Sequence, residues 1–207
     1  MKSLVAYGAL AFIVNVTAAR AAPVTLLALG DSLTAGYGLP AAEAFPVQLE
    51  AALKAKGRDV RVVNAGVSGD TSAGGLARLD WALADKPQAA IVALGANDGL
   101  RGLDTNRLHA NLDAIVAKLQ GAGVKVLLAG MEAPPNLGPE YGQAFRAAYA
   151  QVAKDRGLAL YPFFLDGVAA NPALNQKDGL HPTGAGVAVM VGRMLPMVEK
   201  LLDQVRP

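Results

Sequence analysis

The chain has 207 residues, of which 53% are hydrophobic and 17% charged, and its formal net charge is +2. This composition excludes an intrinsically disordered chain, and the near balance of charge excludes a basic nucleic-acid-binding protein. With no cysteine and only two histidines, His109 and His181, the chain has neither disulfides nor a Cys/His zinc pattern, and we expect no metal and no cofactor.

The first 22 residues have the pattern of a secretory signal peptide. Lys2 precedes an apolar run, and the small-residue box Ala19-Arg20-Ala21 follows it. A run this short does not span a bilayer, although an N-terminal helix or a retained anchor is the alternative. We predict a signal peptide over residues 1–22, cleavage near Ala21 or Ala22, a periplasmic or secreted protein, and no stable membrane anchor after cleavage.

The remainder, residues 23–207, predicts one domain. About 185 residues suffice for one compact α/β domain and are too few for two. Removing Lys2 and Arg20 with the leader leaves 17 basic and 17 acidic side chains. The mature protein is then nearly neutral and does not steer charged partners over long distances. We expect it to be a monomer.

Short aliphatic runs alternate with helical patterns along this domain. The runs predict strands, covered on both faces, over residues 24–29, 60–63, 89–94 and 124–129. Apolar spacing predicts helices over residues 46–56, 104–120, 140–156 and 185–202. Pro196 predicts a kink or break in the last helix, and Trp81, in a further helical pattern, is expected in the core. The alternation predicts right-handed crossovers and an open parallel sheet.

Four polar motifs follow the predicted strands or lie near the C-terminus. They are Gly30-Asp31-Ser32, the segment NAGVSGD at 64–70, the segment GAND at 95–98, and the segment DGLHP at 178–182. Each alone fits ordinary turn and capping chemistry. However, ligands of open parallel sheets bind beyond the carboxyl ends of the strands, so motifs gathered at that edge indicate a site.

This combination resembles the SGNH (GDSL) hydrolase family, in particular its bacterial periplasmic branch of acyl-CoA thioesterases, lysophospholipases and arylesterases. The resemblance covers nearly the whole mature chain, from LALGDSLTAGYG through VVNAGVSGDTSAGGLARL and ALGANDGLRGL to DGLHPTGAG. It implies the family's single-domain, three-layer α/β/α fold with a flavodoxin-like parallel sheet. Ala96 stands where a glycine is often found, and it leaves the following asparagine in place.

The resemblance also implies roles for five residues. Ser32 is the expected nucleophile, and His181 with Asp178 completes a catalytic triad. The backbone amides of Ser32 and Gly69 and the side-chain amide of Asn97 are expected to form the oxyanion hole. A serine needs an imidazole to take its proton, and the imidazole needs a carboxylate to fix its tautomer. The implied reaction is hydrolysis of acyl or aryl esters and thioesters through an acyl-enzyme.

Two segments flank the expected site, residues 99–103 and 131–141. Their apolar side chains are expected to line a groove for a small-molecule acyl or aryl substrate, with loop packing as an equal alternative: Leu100, Leu103, Met131, Pro134, Pro135 and Leu137. We favour such substrates over acetylated sugars because the chain has few aromatic stacking platforms. The alternatives are a carbohydrate O-acetyl esterase, a non-catalytic flavodoxin-like binding module and an inactive interaction protein of the same shape.

Ser68 and His109 are polar residues that the expected site does not use. The segment Gly66–Asp70 nearly matches a G-x-S-x-G nucleophile elbow, but its fifth position is aspartate. Ser68 is therefore expected to be a turn residue. His109 falls on the polar face of the helix predicted over 104–120 and is expected to be solvated.

Overall fold

Five parallel strands form the central sheet of the protein. The computed structural model describes residues 22–205, so the predicted signal peptide lies, apart from Ala22, outside the described residues. The strands are β1 (Val24–Gly30), β2 (Val60–Gly66), β3 (Ala89–Ala93), β4 (Lys125–Ala129) and β5 (Ala159–Tyr161). The helices are α1 (Ser32–Ala35), α2 (Phe45–Ala55), α3 (Ser72–Ala77), α4 (Leu79–Leu83), α5 (Ala96–Leu100), α6 (Thr105–Gly121), α7 (Pro139–Arg156) and α8 (Gly184–Leu202).

The strand order β2-β1-β3-β4-β5 places β1 next to both β2 and β3. The chain leaves β1 in one direction to form β2 and then crosses to the other side to form β3. Between β1 and β3 the connections diverge, which opens a crevice beyond the carboxyl ends of these two strands. The parallel α/β sheet with flavodoxin-like order is therefore confirmed, and its crevice adjoins the segments that follow β1 and β3.

Helices cover both faces of the sheet. α2 packs against α8, whereas α6 packs against α3 and α7. The apolar stripe of α6 is buried, as its spacing predicts. β3 lies between β1 and β4 and is buried at all five residues, which explains its unbroken aliphatic sequence. No helix within residues 22–205 is both long and apolar enough to cross a membrane.

Several elements differ from the sequence expectations. β2 is an edge strand that exposes Arg61 and Asn64, so it is not covered on both faces. β5 was not predicted, because three residues give too short a pattern. Trp81 does lie in a helix but is 69% exposed, so its expected place in the core is wrong. α8 continues through Pro196 without a break, because buried side chains on both sides of the proline hold it against the core.

Candidate active site

Ser32 is the first residue of α1 and follows directly on β1 and Asp31. Asp31 caps this short helix, since its Oδ1 accepts the backbone N–H of Leu33 at 3.0 Å. The backbone N–H of a first helical residue has no acceptor inside its helix. The turn therefore presents two groups of one half-buried residue at the sheet edge, the hydroxyl and the amide of Ser32.

Two hydrogen bonds join the three residues of the predicted triad. Ser32 Oγ lies 2.9 Å from His181 Nε2, and Asp178 Oδ2 lies 2.6 Å from His181 Nδ1. An ionised carboxylate only accepts, so Nδ1 carries the ring proton and Nε2 is free to accept the serine hydroxyl. The donors and acceptors are thus ordered as transfer of a proton from serine to histidine requires.

The turn from Asp178 to His181 fixes the carboxylate against the ring. Asp178 Oδ1 accepts the backbone N–H groups of Leu180 at 2.9 Å and of His181 at 3.0 Å. Gly179, with φ +71°, allows the chain to turn between them. The hydrogen bond from the His181 backbone, together with that from its ring, lowers the pKa of Asp178 to about 2. The carboxylate therefore stays ionised into strongly acidic solution.

Two residues hold the His181 turn against the segment that follows α1. The ring of Tyr37 lies against the His181 ring with their centroids 4.6 Å apart. Gln176 Nε2 donates to the carbonyl oxygens of Tyr37 at 2.8 Å and Pro182 at 2.9 Å, and its backbone N–H donates to His181 O at 2.7 Å. No sequence pattern indicates that Tyr37 and Gln176 hold the His181 turn, because these residues meet their partners only in the folded chain.

The three predicted oxyanion donors come from three separate segments. Asn97, in α5, donates through Nδ2 to Asp70 O at 2.9 Å and to Asp31 Oδ2 at 3.3 Å, which places it beside the residue that precedes Ser32. Gly69 adjoins Asp70 and has φ +86°. A Cβ on Gly69 would meet no other atom within 4 Å, so its conformation, not crowding, calls for glycine there.

A cavity of about 350 Å³ opens beside Ser32, Asn97 and His181. Its volume lies at the lower end of the range of small-molecule sites. Most of its other lining side chains are apolar. Those that the sequence predicts are Leu100, Met131, Pro134 and Pro135; the segment 163–170 and Leu180 add others that it did not, including Phe163 and Leu165. Of residues 163–170, only Phe163, Leu165, Ala169 and Ala170 line the cavity, and the only sequence signal for them is the apolar run YPFFL at 161–165.

Leu103 and Leu137 do not line the cavity, so their expected place in the groove is wrong. α5 ends at Leu100 and the chain then turns, so that Leu103 is 40% exposed and its carbonyl accepts the Tyr141 hydroxyl at 2.7 Å. Leu137 ends a short 3-10 turn and lies beside Gly102, outside the cavity. Their apolar character does not distinguish them from residues that reach the site.

Ser68 and His109 stand outside this constellation. Ser68 is exposed in the turn after β2, as predicted. His109 is half-buried, and its Nε2 is buried without a hydrogen-bond partner among the described residues, so the expectation of a solvated ring is wrong. Its helix, α6, packs against α3 and α7. Across residues 22–205, no three histidine, aspartate or glutamate side chains are grouped to hold a metal ion.

Asp31 is a buried carboxyl that sequence reasoning assigned no role. Its side chain is 0% exposed, and removal from water raises its pKa from 3.8 to about 6, against the lowering effect of the hydrogen bond from Leu33 and of nearby His181 and Asn97. The charged form of Asp31 is therefore destabilised next to the predicted nucleophile. The Gly-Asp-Ser motif was the available signal, but it does not show that this side chain points inward.

The buried carboxyl of Asp31 should make stability fall as pH rises. In the unfolded chain Asp31 ionises around pH 3.8 and in the folded protein around pH 6, so folding binds a proton between these values. A difference of about two pKa units corresponds to a loss of about 3 kcal/mol in the free energy of unfolding across that window. In Asp31→Asn this contribution is absent, so wild type should lose about 3 kcal/mol relative to the variant between about pH 4 and pH 7.

Urea unfolding of both proteins at several pH values measures this difference directly. Contributions from groups that do not interact with Asp31 are common to both proteins and cancel. A stability difference between wild type and Asp31→Asn that does not change with pH would contradict the raised pKa of Asp31.

The fold and the geometry of the site together define the class of protein to which this chain belongs. An open parallel sheet with a serine, a histidine and a carboxylate hydrogen-bonded in series at its carboxyl edge is the arrangement of an α/β serine hydrolase. A family model described as the GDSL-like Lipase/Acylhydrolase family matches residues 28–189, and the chain belongs to this family of hydrolases.

Known relatives extend over almost the entire chain. Esterase TesA of Pseudomonas aeruginosa is 43% identical over 203 residues, which cover 98% of this chain and 100% of the relative. Thioesterase 1/protease 1/lysophospholipase L1 of Escherichia coli K12 is 42% identical over 193 residues, covering 93% and 91%. The crystal structure of AlinE4, an SGNH-hydrolase family esterase, matches with a TM-score of 0.75 and 46% identity over 89% of this chain and 99% of that one.

Proposed function

We propose that the protein hydrolyses carboxylic esters and thioesters of acyl or aryl groups through an acyl-enzyme on Ser32. The observation that carries this proposal is the series of hydrogen bonds from Asp178 through His181 to Ser32, set at the mouth of a mainly apolar cavity. The names of the relatives, an esterase and a thioesterase/lysophospholipase, support the same two kinds of substrate.

Acylation begins with attack of Ser32 Oγ on the substrate carbonyl carbon. The hydroxyl proton passes to His181 Nε2, and the ionised Asp178 stabilises the imidazolium that forms. When the tetrahedral intermediate collapses, the bond to the leaving alcohol or thiol breaks and the imidazolium returns its proton to the leaving group. The product of this half-reaction is an ester between the acyl group and Ser32.

Deacylation repeats these steps with water as the nucleophile. His181 takes a proton from water, the resulting hydroxide attacks the acyl carbon, and the protonated His181 then returns the proton to Ser32 Oγ. In both halves the carbonyl oxygen becomes an anion, which the amides of Ser32 and Gly69 and the side chain of Asn97 stabilise. One N–H of the Asn97 amide donates to Asp70 O at 2.9 Å, which fixes the orientation of the side chain. The other, whose contact with Asp31 Oδ2 is long at 3.3 Å, is the N–H that serves the oxyanion.

A chain-length series tests the substrate class. Mature protein is assayed with p-nitrophenyl esters and acyl thioesters running from acetyl to palmitoyl. Each methylene buried in the apolar cavity contributes about 0.8 kcal/mol, or roughly a fourfold gain in kcat/KM, until the cavity is filled. We expect kcat/KM to rise beyond acetyl for both leaving groups. Highest activity on acetyl esters would instead favour the carbohydrate O-acetyl esterase.

We further propose that the protein is exported and acts, without a membrane anchor, as a monomeric hydrolase domain of residues 23–207. The support for export is the positive residue, short apolar run and small-residue box that precede Ala22. N-terminal sequencing of the protein from a periplasmic fraction should find cleavage near Ala21 or Ala22. A cytoplasmic protein with an intact Met1 would contradict export.

A further inference from the structure

Arg78 connects α3 to α4, and its guanidinium contacts residues that adjoin the candidate active site. The side chain is only 18% exposed. Its Nε donates to Asp70 Oδ2 at 2.6 Å, and its Nη2 donates to the carbonyl oxygen of Gly30 at 2.8 Å. One planar group therefore joins two segments that are 40 residues apart in the sequence.

Both partners of Arg78 adjoin predicted oxyanion donors. Gly30 ends β1, two residues before Ser32, and its carbonyl also accepts the N–H of Val67 at 3.1 Å. Asp70 immediately follows Gly69, and its carbonyl accepts Asn97 Nδ2 at 2.9 Å. Every segment that supplies a predicted donor is thus bonded to the guanidinium itself or to a group that the guanidinium holds.

The hydrogen bonds of the Arg78 guanidinium do not by themselves explain why this side chain is buried. Its Nη1 is buried and has no hydrogen-bond partner within the described part of the chain. Buried polar groups without a partner cost free energy, so they are uncommon in folded proteins and call for an explanation. We explain the buried position of Arg78 by the distance that it fixes between Gly30 and Asp70. The rigid fork of a guanidinium sets the spacing of its two acceptors.

We infer that Arg78 is a positioning residue for the reaction. By fixing Asp70 against Gly30, it sets the Gly69 amide and the Asn97 side chain relative to Ser32, so that all three donors meet the oxyanion together. The inference rests on the proposed function, since it assumes that these groups bind an oxyanion. Arg78 acts through them and touches no reacting atom.

Arg78→Lys tests the inference because lysine keeps the charge but cannot hold both acceptors in a fixed geometry. Displacement of the donors by a fraction of an ångström should lower kcat by about tenfold to a hundredfold, while KM changes by less than about twofold. Arg156→Lys is the matched control: Arg156 also binds a carboxylate, that of Asp113, through Nε and Nη2, but it ends α7 and joins that helix to α6. Its kcat and KM should equal those of wild type.

A double-mutant cycle with Asn97→Ala separates positioning from general stability. Loss of one oxyanion donor should by itself lower kcat by roughly a hundredfold to a thousandfold. If Arg78 acts by placing that donor, Arg78→Lys should have a smaller effect in the Asn97→Ala background than in wild type. Effects that multiply in full, or a lowered Tm with normal kcat, would overturn the inference.

A second variant covers the case in which Arg78→Lys does not fold. Asp70→Asn keeps the size of the side chain but weakens the hydrogen bond from Arg78 Nε, and it should lower kcat several-fold at unchanged KM. A normal kcat in Asp70→Asn would then overturn the inference. Failure of the proposed function looks different: wild type would not hydrolyse esters, or Ser32→Ala would remain active.

Discussion

Ser32→Ala should lower kcat for p-nitrophenyl esters by about 10⁶-fold, the order of loss measured when the nucleophile of a serine hydrolase is removed. The hydroxyl that His181 Nε2 faces at 2.9 Å is absent, so no acyl-enzyme can form. Folding should be little changed, because Ser32 is half-buried and the substitution removes no core volume. Ester turnover and Tm on the same preparation give both quantities.

Ser68→Ala is the matched control for this variant, because Ser68 is an exposed turn serine in the motif that resembles a nucleophile elbow. It should keep wild-type kcat. A fluorophosphonate probe should label wild type and Ser68→Ala but not Ser32→Ala. Wild-type turnover by Ser32→Ala, together with an inactive Ser68→Ala, would assign the nucleophile to Ser68 instead.

Asp178→Asn should lower kcat by roughly 10⁴-fold, because it places the ring proton of His181 on the wrong nitrogen. Asp178 Oδ1 accepts two backbone N–H groups of the turn, and asparagine can keep both bonds only by directing its oxygen to them. Its NH₂ group then faces His181 Nδ1, which must accept. The proton moves to Nε2, and the ring can no longer take a proton from Ser32.

The tautomer of the His181 ring is the decisive measurement for Asp178→Asn. Nitrogen NMR of the two proteins should show the proton on Nδ1 in wild type and on Nε2 in the variant, while Tm stays near that of wild type. Asp166→Asn, which removes an exposed carboxylate paired with Arg193, is a control that should change neither kcat nor tautomer. A kcat of Asp178→Asn within tenfold of wild type would contradict the assigned role of Asp178.

The sequence predicted those parts of the fold and site that depend on patterns among residues close together in the chain. β3 is buried on both faces, so its sequence is continuously aliphatic, and the stripe of α6 repeats with helical spacing. Ser32 and Asn97 follow strand ends, so the parallel sheet brings their segments to one edge. Asp178 and His181 lie within one turn, which the spacing alone makes possible.

The parts that were missed depend on which segments meet in space. Leu100 and Leu103 are alike in sequence, but only Leu100 lies within α5, as its last residue, and reaches the cavity. Trp81 lies in a helix of five residues, too short for its spacing to show which side faces the core. Asp31 and Arg78 gain their positions from burial and from partners on other segments, and no local pattern encodes either.

The two hydrogen bonds of the candidate triad join residues whose separations along the sequence are very different. The carboxylate and the imidazole are three residues apart, so their pairing closes a loop no larger than a single turn. The contact between His181 and Ser32 spans 149 residues and exists only when α8 and the strands are assembled. A chain that loosens its tertiary packing can therefore retain an oriented imidazole and still have no nucleophile beside it.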